Sequence, residues 1–88
     1  MTASIYPVAG STDPATGRVA VRVSDFARSE LNGEADAFWP DGAAWRRVDA
    51  VDIRPSGFEV CFADGRVRHA GSMATFFVEP GVAARIAA

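Results

Sequence analysis

From Glu34 onward, turn-forming residues recur roughly every ten positions, and no other feature restricts the fold of this chain so tightly. Pro40-Asp41-Gly42, Pro55-Ser56-Gly57, Asp64-Gly65, Gly71-Ser72 and Pro80-Gly81 cut the sequence into short runs. The runs between them carry the alternation of half-buried strands: Ala35 to Trp39, Trp45 to Ile53, Phe58 to Ala63 and Val67 to Ala70. Met73 to Val78 is apolar on both faces and reads equally as a buried strand or one helical turn. Upstream, Val19, Val21 and Val23 alternate with Ala20 and Arg22 as a further strand. Short strands at this spacing predict a mainly-β chain folded as a small barrel or sandwich.

Residues 1–17 carry Pro7, Gly10, Asp13, Pro14 and Gly17, which is the chemistry of a loop or extended segment. The single globular domain is therefore expected over 18–88. Ser24-Asp25 can cap a short helix from Phe26 to Leu31, with Asn32-Gly33 as its stop, although a structured loop fits there as well. Val82 to Ile86 is expected to form a short terminal helix.

The hairpin registers follow from the turns. If Asp64-Gly65 is a two-residue turn, Phe62 faces Val67, Cys61 faces Arg68 and Val60 faces His69. Phe58, Val60, Phe62 and Val67 then share the core face with His69 at its margin, while Glu59, Cys61, Arg66 and Arg68 point outward. Across the Pro55 turn, Ile53 lies beside Phe58, Val51 beside Val60 and Asp52 beside Glu59. This predicts an outward charge patch of Asp52, Glu59, Arg66 and Arg68, with Arg68 compensating the like-charge pair. Counting back from Ile53 would bury Arg47 and Asp49, which is costly. A bulge near Asp49-Ala50 returns Val48 inward, turns Trp45 outward and supplies the bend that a five-stranded barrel requires.

The segment Ala37-Phe38-Trp39-Pro40-Asp41-Gly42-Ala43-Ala44-Trp45-Arg46-Arg47-Val48, with the hairpin Phe58-Glu59-Val60-Cys61-Phe62-Ala63-Asp64-Gly65, resembles the Tudor-type, SH3-like barrels. That family has an A-x-W strand, a D-G turn, a W-Y-R-A strand and a hairpin ending in F-x-D-Y-G. The resemblance covers roughly residues 34–70, and it implies a small five-stranded SH3-like barrel. Arg46 stands where the family has tyrosine, and the aromatic of the last turn is missing. Family members that bind methylated lysine or arginine use an aromatic cage. Phe38, Trp39 and Trp45 are the residues this segment offers to one.

Charge and chemistry narrow the function classes. The formal net charge of −2 argues against general nucleic-acid binding, where phosphate neutralisation supplies most of the affinity. All nine positive charges are arginine, whose planar fork suits carboxylates and aromatic faces. Cys61 is the lone cysteine, so no internal disulfide forms, which fits a reducing compartment. The first residues carry no basic segment followed by an apolar run, and no stretch approaches a membrane span, so a cytoplasmic protein is expected. One cysteine and one histidine, Cys61 and His69, supply no metal-ligand set. The derived register sends the two to opposite faces, which disfavours a thiol–imidazole catalytic pair. No phosphate-binding glycine loop occurs, and no cofactor is expected.

These readings converge on a non-enzymatic interaction module that binds a protein or peptide, as an adaptor or an inhibitor. Phe38, Trp39, Trp45, Arg46 and Arg47 are its candidate contact residues, because tryptophan beside arginine is typical of binding hot spots. The alternative is a nucleic-acid-binding barrel in which Arg46, Arg47, Arg66 and Arg68 meet phosphates and Trp39 or Trp45 stacks on bases. Met73, Phe76 and Phe77 are the residues available for a homodimer.

Overall fold

The computed structural model describes residues 6–88, and the first five residues of the expected N-terminal segment lie outside it. The elements run β1 (Val19–Arg22), α1 (Val23–Ala27), β2 (Ala37–Asp41), β3 (Ala44–Arg54), β4 (Gly57–Phe62), β5 (Val67–Ala70), β6 (Thr75–Val78) and α2 (Pro80–Ala87). They form one six-stranded antiparallel sheet in the order β1-β6-β2-β3-β4-β5. Strands β2 to β5 are a meander joined by the turns read from the sequence. Strand β6 then crosses back to β2, setting Val78 against Ala37, and carries β1 on its far side.

The chain is mainly β, but the expected count of five strands is corrected to six. The segment left open between strand and helix is β6, and all four of its residues are buried. It is apolar on both faces because both are covered. Phe76 and Val78 enter the core, while Phe77 lies under Trp45 on the opposite face. Those two phenylalanines are therefore unavailable as a self-association surface, and of the expected trio only Met73 is exposed. Strands β1 and β5 end the order without pairing to each other, so the sheet is not closed.

The first helix begins earlier than the capping signal suggested. Val23, Phe26 and Ala27, at helical spacing, all point into the core, and that burial outweighs the Ser24-Asp25 cap. Phe26 meets Phe76 edge to face at 5.2 Å, and burying a ring of this size stabilises the fold by about 1.5–3 kcal/mol. The C-terminal helix starts at Pro80, which occupies its first turn, where a missing N–H costs nothing. Val82, Ala83 and Ile86 pack against the core from one side.

The β3–β4 register matches expectation, with Ile53 opposite Phe58, Val51 opposite Val60 and Asp52 opposite Glu59. The ladder shifts between Val48 and Ala50, which is the bulge that keeps Arg47 and Asp49 out of the core and Val48 in it. Ile53, at the end of the sheet, is 56% exposed despite facing Phe58.

The β4–β5 hairpin differs from expectation by one residue. Cys61 pairs with Val67, Val60 with Arg68 and Glu59 with His69. The Phe62 N–H donates to the Arg66 carbonyl at 2.8 Å, and the Gly65 N–H donates to the Phe62 carbonyl at 3.0 Å. The loop is thus three residues, with Gly65 at φ +90° in the left-handed position such loops reserve for glycine. Because side chains alternate, one residue of slip exchanges every face on β5. Val67, expected in the core, is 57% exposed. His69 moves from the core margin to the outer face, and Arg68 moves from the outer face to the inner one.

Candidate functional site

The three-residue loop of the β4–β5 hairpin sets Arg68 over Trp39. Trp39 lies on the inner face of β2, opposite Arg46 on β3. It is 8% exposed, with its ring edge to face against Phe62 at 6.3 Å and Tyr6 at 6.4 Å. The Arg68 guanidinium carbon stands 5.2 Å from the centre of that ring, and Arg46 stands 5.1 Å from the Phe62 ring. Stacking of a guanidinium on an aromatic face holds the fork in place while its N–H edge stays available.

Two shallow depressions adjoin here and share Trp39, Asp41 and Arg68. One, of about 280 Å³, runs toward Tyr6, Pro7 and Thr75. The other, of about 160 Å³, runs toward Arg46, Phe62 and Arg66. Together they form a groove between the β2–β3 turn and the β4–β5 loop. Arg46 is engaged by Asp41 at 2.8 Å, and Arg66 lies 4.0 Å from Asp64. Among the described residues, no ion pair is found for Arg68.

The five residues singled out from the sequence do not form one surface. Trp39 and Arg46 belong to the groove, with Trp39 as core whose edge reaches the floor. Phe38, Trp45 and Arg47 lie on the opposite face, as the alternation along β2 and β3 requires. There Arg18 stacks 3.6 Å above Phe38 and 5.2 Å from Trp45, while its Nε donates to Glu79 at 3.0 Å. Trp45 packs edge to face on Phe77 at 5.3 Å. Arg47 reaches Asp36 at 3.3 Å and Asp49 at 3.7 Å. These aromatic faces are already occupied by the chain's own side chains. Tyr6, which the groove also uses, was missed from the sequence, and Arg68 was read as an outward residue and a phosphate contact because the hairpin register was off by one.

A third cluster sits on the outer face of β3 and β4. Asp52, Glu59 and Cys61 bring ligand-type atoms within 4.8 Å of one another. Arg54 occupies the cluster, donating to Asp52 at 3.4 Å and to Glu59 at 3.2 Å. The compensating arginine for the Asp52–Glu59 pair is thus Arg54 and not Arg68, a correction to the expected patch. Burial, with the carboxylates of Asp52 and Glu59 beside it, pushes the Cys61 thiol up, against a smaller opposing pull from Arg54. Cys61 and His69 share this outer face, correcting their expected separation. With its thiol held protonated, however, Cys61 lacks the lowered pKa of a nucleophile.

Among the described residues, no helix is long and apolar enough to cross a membrane. A family model described as protein of unknown function (DUF2761) matches residues 7–88. Two Escherichia coli proteins called Protein KleF are similar in sequence. One is 44% identical over 88 residues, covering 90% of this chain and 85% of the relative. The other is 42% identical over 90 residues, covering 92% of this chain and 51% of the relative, so the chain spans about half the length of that protein. No solved structure matches. The chain belongs to the DUF2761 family.

Proposed function

We propose that this DUF2761 chain is a small non-enzymatic interaction module that binds a protein or peptide partner through the Trp39–Arg46–Arg68 groove. The observation that carries this reading is Arg68, held by stacking over Trp39 with no acidic partner among the described residues. A fixed, unneutralised guanidinium beside an aromatic floor is the kind of group that anchors a partner. The inward turn of Arg68, joined by Arg46 and Arg66, concentrates positive charge in the groove of a chain whose net charge is −2. A binding role is favoured over catalysis because the one thiol is held protonated and Arg54 already engages the acidic pair beside it.

The SH3-like reading draws support from the β2–β5 meander, from the return of β6 beside β2, and from the bend of β3 at its bulge. The contact face differs from the one the Tudor-type resemblance implies, since Phe38 and Trp45 belong to the other side. A role in nucleic-acid binding is less well supported, because Trp39 is buried and Trp45 is packed against Phe77, which removes the stacking platforms.

The test is a photo-crosslinking amino acid placed at Arg68 and, as a control, at the distant Glu30, in cells of the native host. Crosslinks to a discrete protein from position 68 alone, unchanged by nuclease, are the expected result. Crosslinks that nuclease removes, or identical products from both positions, would overturn the reading.

A further inference from the structure

Resting on the groove reading above, we propose that the partner binds as an extended strand added antiparallel to the free edge of β5, with an acidic side chain seated on Arg68. Both ends of the sheet order are potential edges, and the chain treats them differently. Along β1, the Gly10 N–H donates to the Ala20 carbonyl and the Ala20 N–H to the Ser11 carbonyl, both at 2.8 Å, so that edge is covered by the preceding segment. Along β5, no strand follows among the described residues.

The direction of the β5 backbone groups follows from the hairpin. Phe62 and Arg66 are a hydrogen-bonded pair, so Val60 with Arg68 and Phe58 with Ala70 exchange the next bonds to β4. Val67 and His69 therefore direct their N–H and C=O groups away from the sheet. Natural edges are commonly blunted by proline, a bulge, short length or charged side chains, and of these β5 has its four-residue length and the charge of Arg68. Val67-Arg68-His69-Ala70 contains no proline, and its register with β4 is unbroken.

The side chains on this edge select the occupant. An antiparallel strand exchanging bonds with Val67 and His69 places one residue directly opposite Arg68 on the inner face. Arg68 is the groove arginine without an acidic partner among the described residues, whereas Arg46 has Asp41 and Arg66 has Asp64. A glutamate or aspartate at that position completes the charge, and its neighbours rest on Val67 and His69. A nucleic acid could meet Arg68 but has no amide ladder to offer the edge. All pairings within this sheet are antiparallel, and the same orientation is assigned to the added strand.

The probe is a capped peptide of about ten residues alternating threonine and glutamate, titrated into isotopically labelled protein and followed by amide chemical shifts. The Val67 and His69 amides should move more than those of Arg68 and Ala70. In the antiparallel arrangement the threonines face Val67 and His69, so N-methylating every threonine should weaken binding roughly tenfold or more. N-methylating every glutamate, whose N–H groups point away, should change it less than about twofold. Arg68→Glu should abolish binding of this peptide, and Val67→Pro, which removes an outward donor and no β4 bond, should weaken it. Equal tolerance of both N-methylated peptides, or loss with the glutamate series, overturns strand addition while leaving the groove reading intact. Tighter binding of an oligothymidylate than of the peptide overturns the acidic-peptide assignment. Absence of any shift around β5 and Trp39 at millimolar peptide overturns both.

Discussion

The side-chain amide of Asn32 and the backbone of Val51 bond to each other in both directions: Nδ2 donates to the Val51 carbonyl and the Val51 N–H donates to Oδ1, each at 2.8 Å. Strand β2 ends its pairing with β3 at Ala37–Val48, just before the bulge, so Val51 has no strand on that side. Asn32 supplies the missing rung, and its Nδ2 also donates to the Ala27 carbonyl at 3.0 Å, tying the end of α1 to the bent strand. Replacing Asn32 with Ala strands three backbone groups, two of them in the sheet. It should lower unfolding free energy by about 1–3 kcal/mol in urea melts. Asn32→Asp, which keeps the acceptor and loses both donors, should cost a similar amount above the carboxyl's titration range.

A second consequence concerns Gly57, which opens β4 at φ +141°. A Cβ there would lie 2.9 Å from the Ala70 carbonyl oxygen and 3.0 Å from His69 Cε1, backbone and ring of the neighbouring strand. Gly57→Ala should therefore destabilise the fold by about 1–3 kcal/mol and loosen β5 specifically. Gly71→Ala, where nothing lies within 4 Å and φ is ordinary, is the control and should be near neutral in the same melts. Faster amide exchange at Val60 and Ala70 in the Gly57 variant would locate the damage on the β4–β5 ladder.

The contrast between the two hairpins explains how far the sequence could be read. Pro55-Ser56-Gly57 and the alternation on either side allow one register only, and the charges of Arg47 and Asp49 forbid a regular β3, so both register and bulge were legible. Asp64-Gly65 is compatible with a two-residue loop, which needs both residues at positive φ, and with a three-residue loop, which needs only Gly65 there. The structure takes the second form, with Asp64 at ordinary φ and its carboxylate accepting the Arg66 N–H at 2.9 Å. Apolar Val67 made the two-residue register attractive because it placed one more hydrophobic residue inside. What that reading omitted is Trp39, already filling the space, which can accept a guanidinium on its face but not another core side chain. The place of Arg68 in the groove was illegible for that reason, since nothing local to it reports the tryptophan three strands along the sheet.

Cys61 provides a test of the outer-face cluster. Burial and the neighbouring Asp52 and Glu59 carboxylates raise its pKa, so the folded protein holds the thiol proton to higher pH than the unfolded chain does. Alkylation by iodoacetamide should accordingly be slower in the folded protein, with its midpoint displaced to higher pH. Asp52→Asn should bring the midpoint down, and Arg54→Ala should raise it further. The linkage has a definite sign. The folded state binds more protons between the unfolded thiol pKa, about 8.5, and the higher folded value, so stability falls as pH rises through that window. Cys61→Ser should remove that part of the alkaline decline. A midpoint at or below that of the unfolded chain would contradict the placement of the thiol among these carboxylates.

The two tryptophans should separate cleanly under mutation because they do different work. Trp39 is enclosed by Tyr6 and Phe62 with Arg68 above it, so Trp39→Ala removes core. It should cost about 3–5 kcal/mol. Trp45 lies half-buried on the other face, with Phe77 at its edge and Arg18 nearby. Its truncation should cost about 1–2 kcal/mol, because solvent can reclaim part of the space. Loss of partner binding in Trp39→Ala would therefore confound unfolding with loss of contact, whereas Arg68→Glu deletes no core side chain and removes the guanidinium stacked on Trp39. A pair of melts on Trp39→Phe and Trp45→Phe sharpens the distinction, since a smaller ring leaves a void at the first position and little change at the second. If Trp45→Phe proves the more costly substitution, the Arg18–Phe38–Trp45–Phe77 stack, and not the inner-face cluster around Trp39, is the tighter packing in this sheet, and the groove floor is softer than its burial implies.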